Sequence, residues 1–208
     1  MDSDTGDKPL RKISEAFKDI ANCINSPNTQ QLELAPFSQA CSLVSPLFRC
    51  LGIAFKFAEM DYVAKVNDLC ETSKSISTLQ LMMERDIEEN CVRKPGSHTR
   101  NLLRVKRGLD MVKVLFEQIL ASEYILVLAI ANDDYMMKHA SNIRDNSLKN
   151  PASKAYAQVF SPYHGWAIRK AVAAGMYALP TKAQLLQKLN EDELELKAIG
   201  GAALGSVL

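Results

Sequence analysis

Apolar residues recur every three or four positions through most of this chain, the spacing that lays a stripe along one side of an α-helix. Alternating Val/Ile/Tyr runs that would signal strands are missing, so the pattern predicts an all-α fold. Leu10, Ile13, Phe17, Ile20 and Ile24 form the first stripe, on a helix opened by Asp7 as N-cap with Pro9 in its first turn. Asn25-Ser26-Pro27-Asn28 closes it. A second helical stretch is expected over residues 36–73, with Phe48, Leu51, Phe55, Ala58, Tyr62, Val66 and Leu69 on one arc and a kink or break at Pro46. A further helix covers 76–91. The turn Arg93-Lys94-Pro95-Gly96-Ser97 precedes a long amphipathic helix over 99–123, aligned on Leu102, Val105, Leu109, Val112, Phe116 and Ile119. Three shorter helices follow, over 151–159, 164–179 and 181–197, parted by Ser161-Pro162 and by Pro180. The tail from Ile199 is expected to fray.

A length of 208 residues, 47% of them hydrophobic, suits one globular domain better than two small ones. With 25 Lys+Arg against 24 Asp+Glu the net charge is +1, which argues against a general nucleic-acid binder and confines any phosphate recognition to a local cluster. Cys23, Cys41, Cys50, Cys70 and Cys91 are odd in number and form no C-x-x-C pair, so they read as reduced core thiols. The opening MDSDTGDKPL is too acidic for a signal peptide, and the run YILVLAIA at 124–131 is far short of the roughly 20 residues a bilayer crossing needs. A cytoplasmic protein without a transmembrane helix is the expectation.

Few positions carry chemistry. On a helix Asp61 and Lys65 lie about 40° apart at the edge of the apolar arc, either as a solvent-rim ion pair or as the start of a polar site. Arg100 and Arg104 repeat the arrangement on a row that turns apolar through Gly108 and Met111. Two arginines there suit a phosphate monoester at the lip of an apolar interior; equally, with Lys106 and Arg107, they read as a solvated basic turn. His164 is expected to share a helical face with Ile168, Ala171, Val172 and Gly175, pointing into the core and needing a hydrogen-bond partner. Trp166, beside Arg169 and Lys170, fits either a membrane interface or a place beneath a neighbouring helix. His98 and His139 offer no zinc spacing, and neither a nucleophile elbow nor a cysteine–histidine motif is present, so a metal site, a cofactor and an enzyme are not expected.

Three segments, FSQACSLVSPLFRCLGIAFKFAEMDYVAKVNDL, CVRKPGSHTRNLLRVKRGLDMVKVLFEQIL and YAQVFSPYHGWAIRKAVAAGMYALPT, closely resemble the glycolipid transfer protein family, and more narrowly its ceramide-1-phosphate branch. The resemblance runs over residues 8–123 and 145–197. It implies a two-layer all-α sandwich that encloses a sphingolipid's hydrocarbon chains, a carrier that acts without catalysis, metal or cofactor and touches membrane surfaces transiently. By matching position, Asp61 would take the amide N–H and hydroxyl of the sphingoid base, His164 the acyl-amide oxygen, and Lys65, Arg100 and Arg104 the phosphate. Members that select sugars carry Asn, Leu and Trp at those last three positions. Trp166 matches a position near the membrane contact.

The resemblance also implies a single domain over 8–197, with tails at 1–7 and 198–208. Residues 124–144 have no counterpart in the family pattern and would either prolong the long helix or form an extra hairpin. Beyond about Lys197 the family continues into a closing helical segment, where this chain has only IGGAALGSVL, so an incomplete C-terminal end is expected. The alternatives to a transfer protein are a helical module that senses lipid or binds a protein without moving cargo, and an inactive variant.

Overall fold

The computed structural model describes residues 8–26, 31–130 and 146–191. Helix α1 (Pro9–Ile24) follows its predicted stripe, burying Leu10, Ile13, Phe17 and Ile20. Its N-cap is Lys8, which makes no side-chain cap; Asp7 lies outside the described residues. The capping acceptor comes from the far end of the chain, where the Glu191 carboxylate accepts the Leu10 N–H at 2.7 Å. A buried carboxylate at a helix N-terminus satisfies an orphan donor and meets the positive end of the dipole.

The expected helix over 36–73 is divided into α2 (Leu34–Ser42), α3 (Ser45–Cys50), a 3₁₀ turn (Ile53–Phe55) and α4 (Lys56–Thr72). Pro46 starts α3 in the first-turn position it favours, so here it initiates a helix instead of kinking one. The second break is Gly52, whose φ of +96° lies in the left-handed region that residues with a Cβ rarely enter. Helix α5 (Leu79–Glu88) starts three residues later than predicted, because Thr78 caps it by accepting the Leu81 N–H at 3.2 Å. Helix α6 (His98–Ile130) then runs for 33 residues, about 50 Å, so its backbone continues into the first part of the 124–144 insert; the segment after Ile130 lies outside the described residues.

Helix α7 (Lys149–Val159) leads through a 3₁₀ turn (Ser161–Tyr163) to α8 (Trp166–Gly175), a second 3₁₀ turn (Met176–Ala178) and α9 (Lys182–Leu189). The predicted 164–179 helix therefore begins two residues late and tightens at its end. Helix α9 opens on a capping box between Thr181 and Gln184 and closes on Asn190 in the left-handed conformation, which shortens the expected 181–197 helix. The tails at 1–7 and 198–208 lie outside the described residues.

Helix α4 packs along α6, α7 lies on α6, α2 and α3 lie on α4, and α1 covers α2, giving a helical sandwich with its apolar side chains between the helices. Phe17, Leu69, Met82, Leu109, Ile119 and Leu189 are wholly enclosed there. Truncating any of them to alanine would cost about 2–5 kcal/mol. The α4–α6 crossing is close because Gly108 has no side chain: a Cβ there would stand 2.6 Å and 2.8 Å from two ring carbons of Tyr62. Two isolated antiparallel bridges, Glu33 with Thr78 and Ser147 with Thr181, tie the connections together. Of the five cysteines only Cys41 is buried, and Cys23 is exposed, so the core-thiol expectation holds for one of them; all are free. No helix among the described residues is long and apolar enough to cross a membrane. Helix α8 stands apart, since none of its residues is buried.

Candidate functional site

Along the α4–α6 seam the apolar packing gives way to charge. Asp61 projects from α4 one turn before Lys65, and its two carboxylate oxygens face different partners: Oδ1 lies 3.7 Å from Lys65 Nζ and Oδ2 lies 2.9 Å from Arg104 Nη2 on α6. Asp61 and Lys65 are partly buried and Arg104 is exposed; the contact is more than a pair along one helix, because one acid links two helices. Arg100 stands one turn before Arg104 on the same row and keeps its guanidinium exposed, with a long 3.5 Å bond to the Arg93 carbonyl.

His164 reaches the same place from the other side, but not from a helix. It is the residue after the Ser161–Tyr163 turn, in extended backbone with φ −106° and ψ 135°, and Gly165 then serves as N-cap of α8. The expected helical face with Ile168 and Ala171 therefore does not carry it, because Pro162 sets a 3₁₀ turn and Gly165 starts the next helix afresh. The imidazole lies nearly parallel to Phe160 at 5.6 Å and tilted against Tyr156, whose hydroxyl is 2.9 Å from Nδ1. This supplies the partner that a sheltered histidine needs. Burial first, then the positive charges of Arg104 and Arg107, push the His164 pKa below its ordinary 6.5, so the ring is held neutral.

Asp61, Arg100, Arg104 and His164 all line one cavity of about 1380 Å³. Its walls include Phe37, Phe48, Phe55, Leu79, Met111 and Phe160. That exceeds the roughly 300–1,000 Å³ usual for small-molecule sites and matches a ligand with a long apolar body and a charged end. Lys65 is not among the lining residues and stands behind Asp61, with which it pairs. Beside the mouth, Trp166 is 74% exposed at the first turn of α8, while Ile53 and Phe57 are each 83% exposed, so of the two readings for the indole the buried one is excluded.

From the sequence, Arg107 was expected only as part of a solvated basic turn, and Tyr163 and Tyr156 were not singled out. Arg107 belongs to the Arg100–Arg104 face by its i+3 spacing, and that spacing was the available signal; it lines the cavity and lies 3.7 Å above the Tyr163 ring. Tyr156 had no signal beyond its sequence distance from His164. A second, smaller cleft of about 570 Å³ has mixed charge, and beside it His98 Nδ1 lies 3.0 Å from Asp68 and 3.1 Å from the Thr72 hydroxyl, while Asn101 donates to Asp68 at 2.8 Å. This network joins α4 to the start of α6. Among the described residues no group of three His, Cys, Asp or Glu could hold a metal ion.

The family model described as Glycolipid transfer protein (GLTP) matches residues 32–191. "Accelerated cell death 11" of Arabidopsis thaliana is 64% identical over 197 residues, covering 95% of this chain and 85% of that protein. Among solved structures, a mutant of Arabidopsis ACD11 complexed with C12 ceramide-1-phosphate superposes with a TM-score of 0.83 at 62% identity, over 97% of this chain and 90% of that one. The apo-form of Arabidopsis ACD11 gives 0.80 at 61% identity, over 97% and 94%.

Proposed function

We propose, from the premise that this chain belongs to the glycolipid transfer protein family, that it binds ceramide-1-phosphate and related phosphosphingolipids and carries them between membranes without chemical change. The observation that carries the reading is the convergence of Asp61, Arg100, Arg104 and His164, drawn from three parts of the chain, on the mouth of one large apolar cavity. The complex of the Arabidopsis relative with ceramide-1-phosphate supports the choice of ligand.

The division of labour follows from the chemistry. Lys65, Arg100 and Arg104 take the phosphate, Arg104 and Arg100 as forks and Lys65 as a point charge. Asp61 accepts from the amide N–H and hydroxyl of the sphingoid base, and His164 donates to the acyl-amide oxygen. The hydrocarbon chains enter the cavity, where each methylene recovers about 0.8 kcal/mol that it would lose in water. Transfer then needs no energy source, because bilayer and cavity are both dry and the lipid exchanges between them. Trp166 with Ile53 and Phe57 forms the membrane-facing rim, which makes the protein a transient peripheral binder of cytoplasmic membrane surfaces. The domain spans 8–197 and takes 124–144 as an insert.

The test is exchange of fluorescent lipids between vesicles. Ceramide-1-phosphate is moved and a neutral glycosylceramide is not, and Arg104→Ala lowers the ceramide-1-phosphate rate about tenfold, the worth of one charge-assisted hydrogen bond. Equal transfer of the sugar lipid, or an unchanged Arg104→Ala, refutes the assignment. Stable lipid binding without exchange would instead mark a sensing module.

A further inference from the structure

His164 Nδ1 has one partner, the Tyr156 hydroxyl at 2.9 Å, and a hydrogen bond there leaves only Nε2 for a ligand in the cavity that His164 and Tyr156 both line. The contact can be made with the proton in either of two places. If Nδ1 is protonated it donates to the tyrosine oxygen and Nε2 offers a lone pair. If the hydroxyl donates to Nδ1, the ring proton sits on Nε2 and faces outward as a donor.

We propose that Tyr156 is a positioning residue that donates to Nδ1 and thereby fixes His164 as the Nε2–H tautomer, so that the ring presents an N–H to the bound lipid. The direction follows from the chemistry of the pair at 2.9 Å, since a phenol hydroxyl is the better donor and a neutral imidazole nitrogen the better acceptor. Burial raises the Tyr156 pKa against the opposing charge of Arg169, so the hydroxyl proton is present to be donated. The groups facing the imidazole are Arg104 and Arg107 on α6, and both cations, with burial, keep the ring neutral, so only one nitrogen carries a proton. Phe160 stacks on one face of the ring at an interplanar angle of 13° and restricts its rotation. The consequence for recognition rests on the carrier reading above: an amide carbonyl needs a donor, and the opposite tautomer would set lone pair against lone pair.

The tautomer is read on the lipid-free full-length chain by long-range proton–nitrogen NMR of labelled histidine at neutral pH, with His164 assigned by the signals lost in His164→Gln. A pyridine-type Nδ1 and a pyrrole-type Nε2 are expected, with the two shifts moving toward each other in Tyr156→Phe, which keeps the ring packing. A pyrrole-type Nδ1 in the unaltered protein overturns the proposal. In ceramide-1-phosphate vesicle binding, Tyr156→Phe weakens affinity about three- to tenfold, the loss of one neutral hydrogen bond. In a His164→Gln background, where an amide donor needs no tautomer, the same change costs nothing further. An equal loss in both backgrounds would make Tyr156 a packing residue and also overturn it. If the unaltered chain shows the expected tautomer yet binds no ceramide-1-phosphate, the carrier reading falls and the tautomer assignment stands.

Discussion

Gly108→Ala probes the structure where fold and site meet. Elsewhere in a helix this change stabilises by roughly 1 kcal/mol, since alanine is the better helix former. At position 108 the added methyl would lie 2.6 Å from Tyr62 Cδ2 and 2.8 Å from Cε2, distances that packed carbons do not tolerate. The ring has little freedom to yield. Its hydroxyl donates to the Cys41 carbonyl at 2.9 Å, its ring packs on Phe48 at a centroid distance of 5.0 Å, and only 5% of the residue is exposed. Relief must come from separating α4 and α6 or from breaking the hydrogen bond, and overpacking of this kind costs about 1–3 kcal/mol.

Net of the propensity gain, Gly108→Ala is expected to lose up to about 2 kcal/mol in urea unfolding and to lower Tm by up to about 8 °C for a chain of this size. The separation also bears on the 2.9 Å contact between Asp61 and Arg104, which spans the same two helices next to Tyr62 on α4 and one turn before Gly108 on α6, so ceramide-1-phosphate transfer falls with stability. A double-mutant cycle with Tyr62→Leu isolates the cause: the smaller side chain makes room, and the alanine should then be neutral or favourable. A single Gly108→Ala variant more stable than the parent by the full propensity gain of roughly 1 kcal/mol would refute the account of the α4–α6 crossing.

Two other perturbations test carboxylates that do not line the cavity. Glu191→Ala removes the acceptor of the Leu10 N–H and should destabilise by about 1–2 kcal/mol in chemical denaturation, with amide exchange accelerated in the first turn of α1. Asp86 is buried, which raises its pKa, but the Thr99 backbone N–H at 2.7 Å and the neighbouring Thr99, Cys91 and His98 more than offset this, leaving it below its ordinary 3.8. A carboxylate depressed in the folded state contributes stability that is full above 3.8 and is lost as pH falls below that value toward the folded pKa, so Asp86→Asn should flatten the acid limb of the stability profile there while lowering stability at neutral pH.

How much of this was legible in the sequence depended on whether the deciding force was local. The stripe of Leu10, Ile13, Phe17 and Ile20 and the long α6 pattern were readable because burial of one helical face follows from spacing alone. The break at Gly52 was readable in principle but was overridden by the apolar arc running through it, whose period continues on both sides of the kink. The replacement of Asp7 by Glu191 at the start of α1 was not readable, because the acceptor comes from 181 residues away. At the site, Asp61, Arg100 and Arg104 announced themselves as charges on apolar rows. His164 was placed in the right neighbourhood by the wrong element, since a 3₁₀ turn and a glycine cap, not helical periodicity, aim it.

If the cations take a phosphate as proposed, the arrangement of charge accounts for the acid among them. Lys65 and Arg104 bracket Asp61 at 3.7 Å and 2.9 Å, so the carboxylate offsets their mutual repulsion at the mouth. With it, Lys65, Arg100, Arg104 and Arg107 against one acid leave a surplus of three positive charges. A phosphate monoester carries about −1.5 to −2 at neutral pH, so it neutralises most of the surplus. A neutral sugar would leave the surplus in place and shed part of its hydration besides. Selectivity in this reading comes less from any one bond than from that balance, and Asp61 serves it twice, by holding the cations close before the lipid arrives and by accepting from the lipid's own donors afterwards.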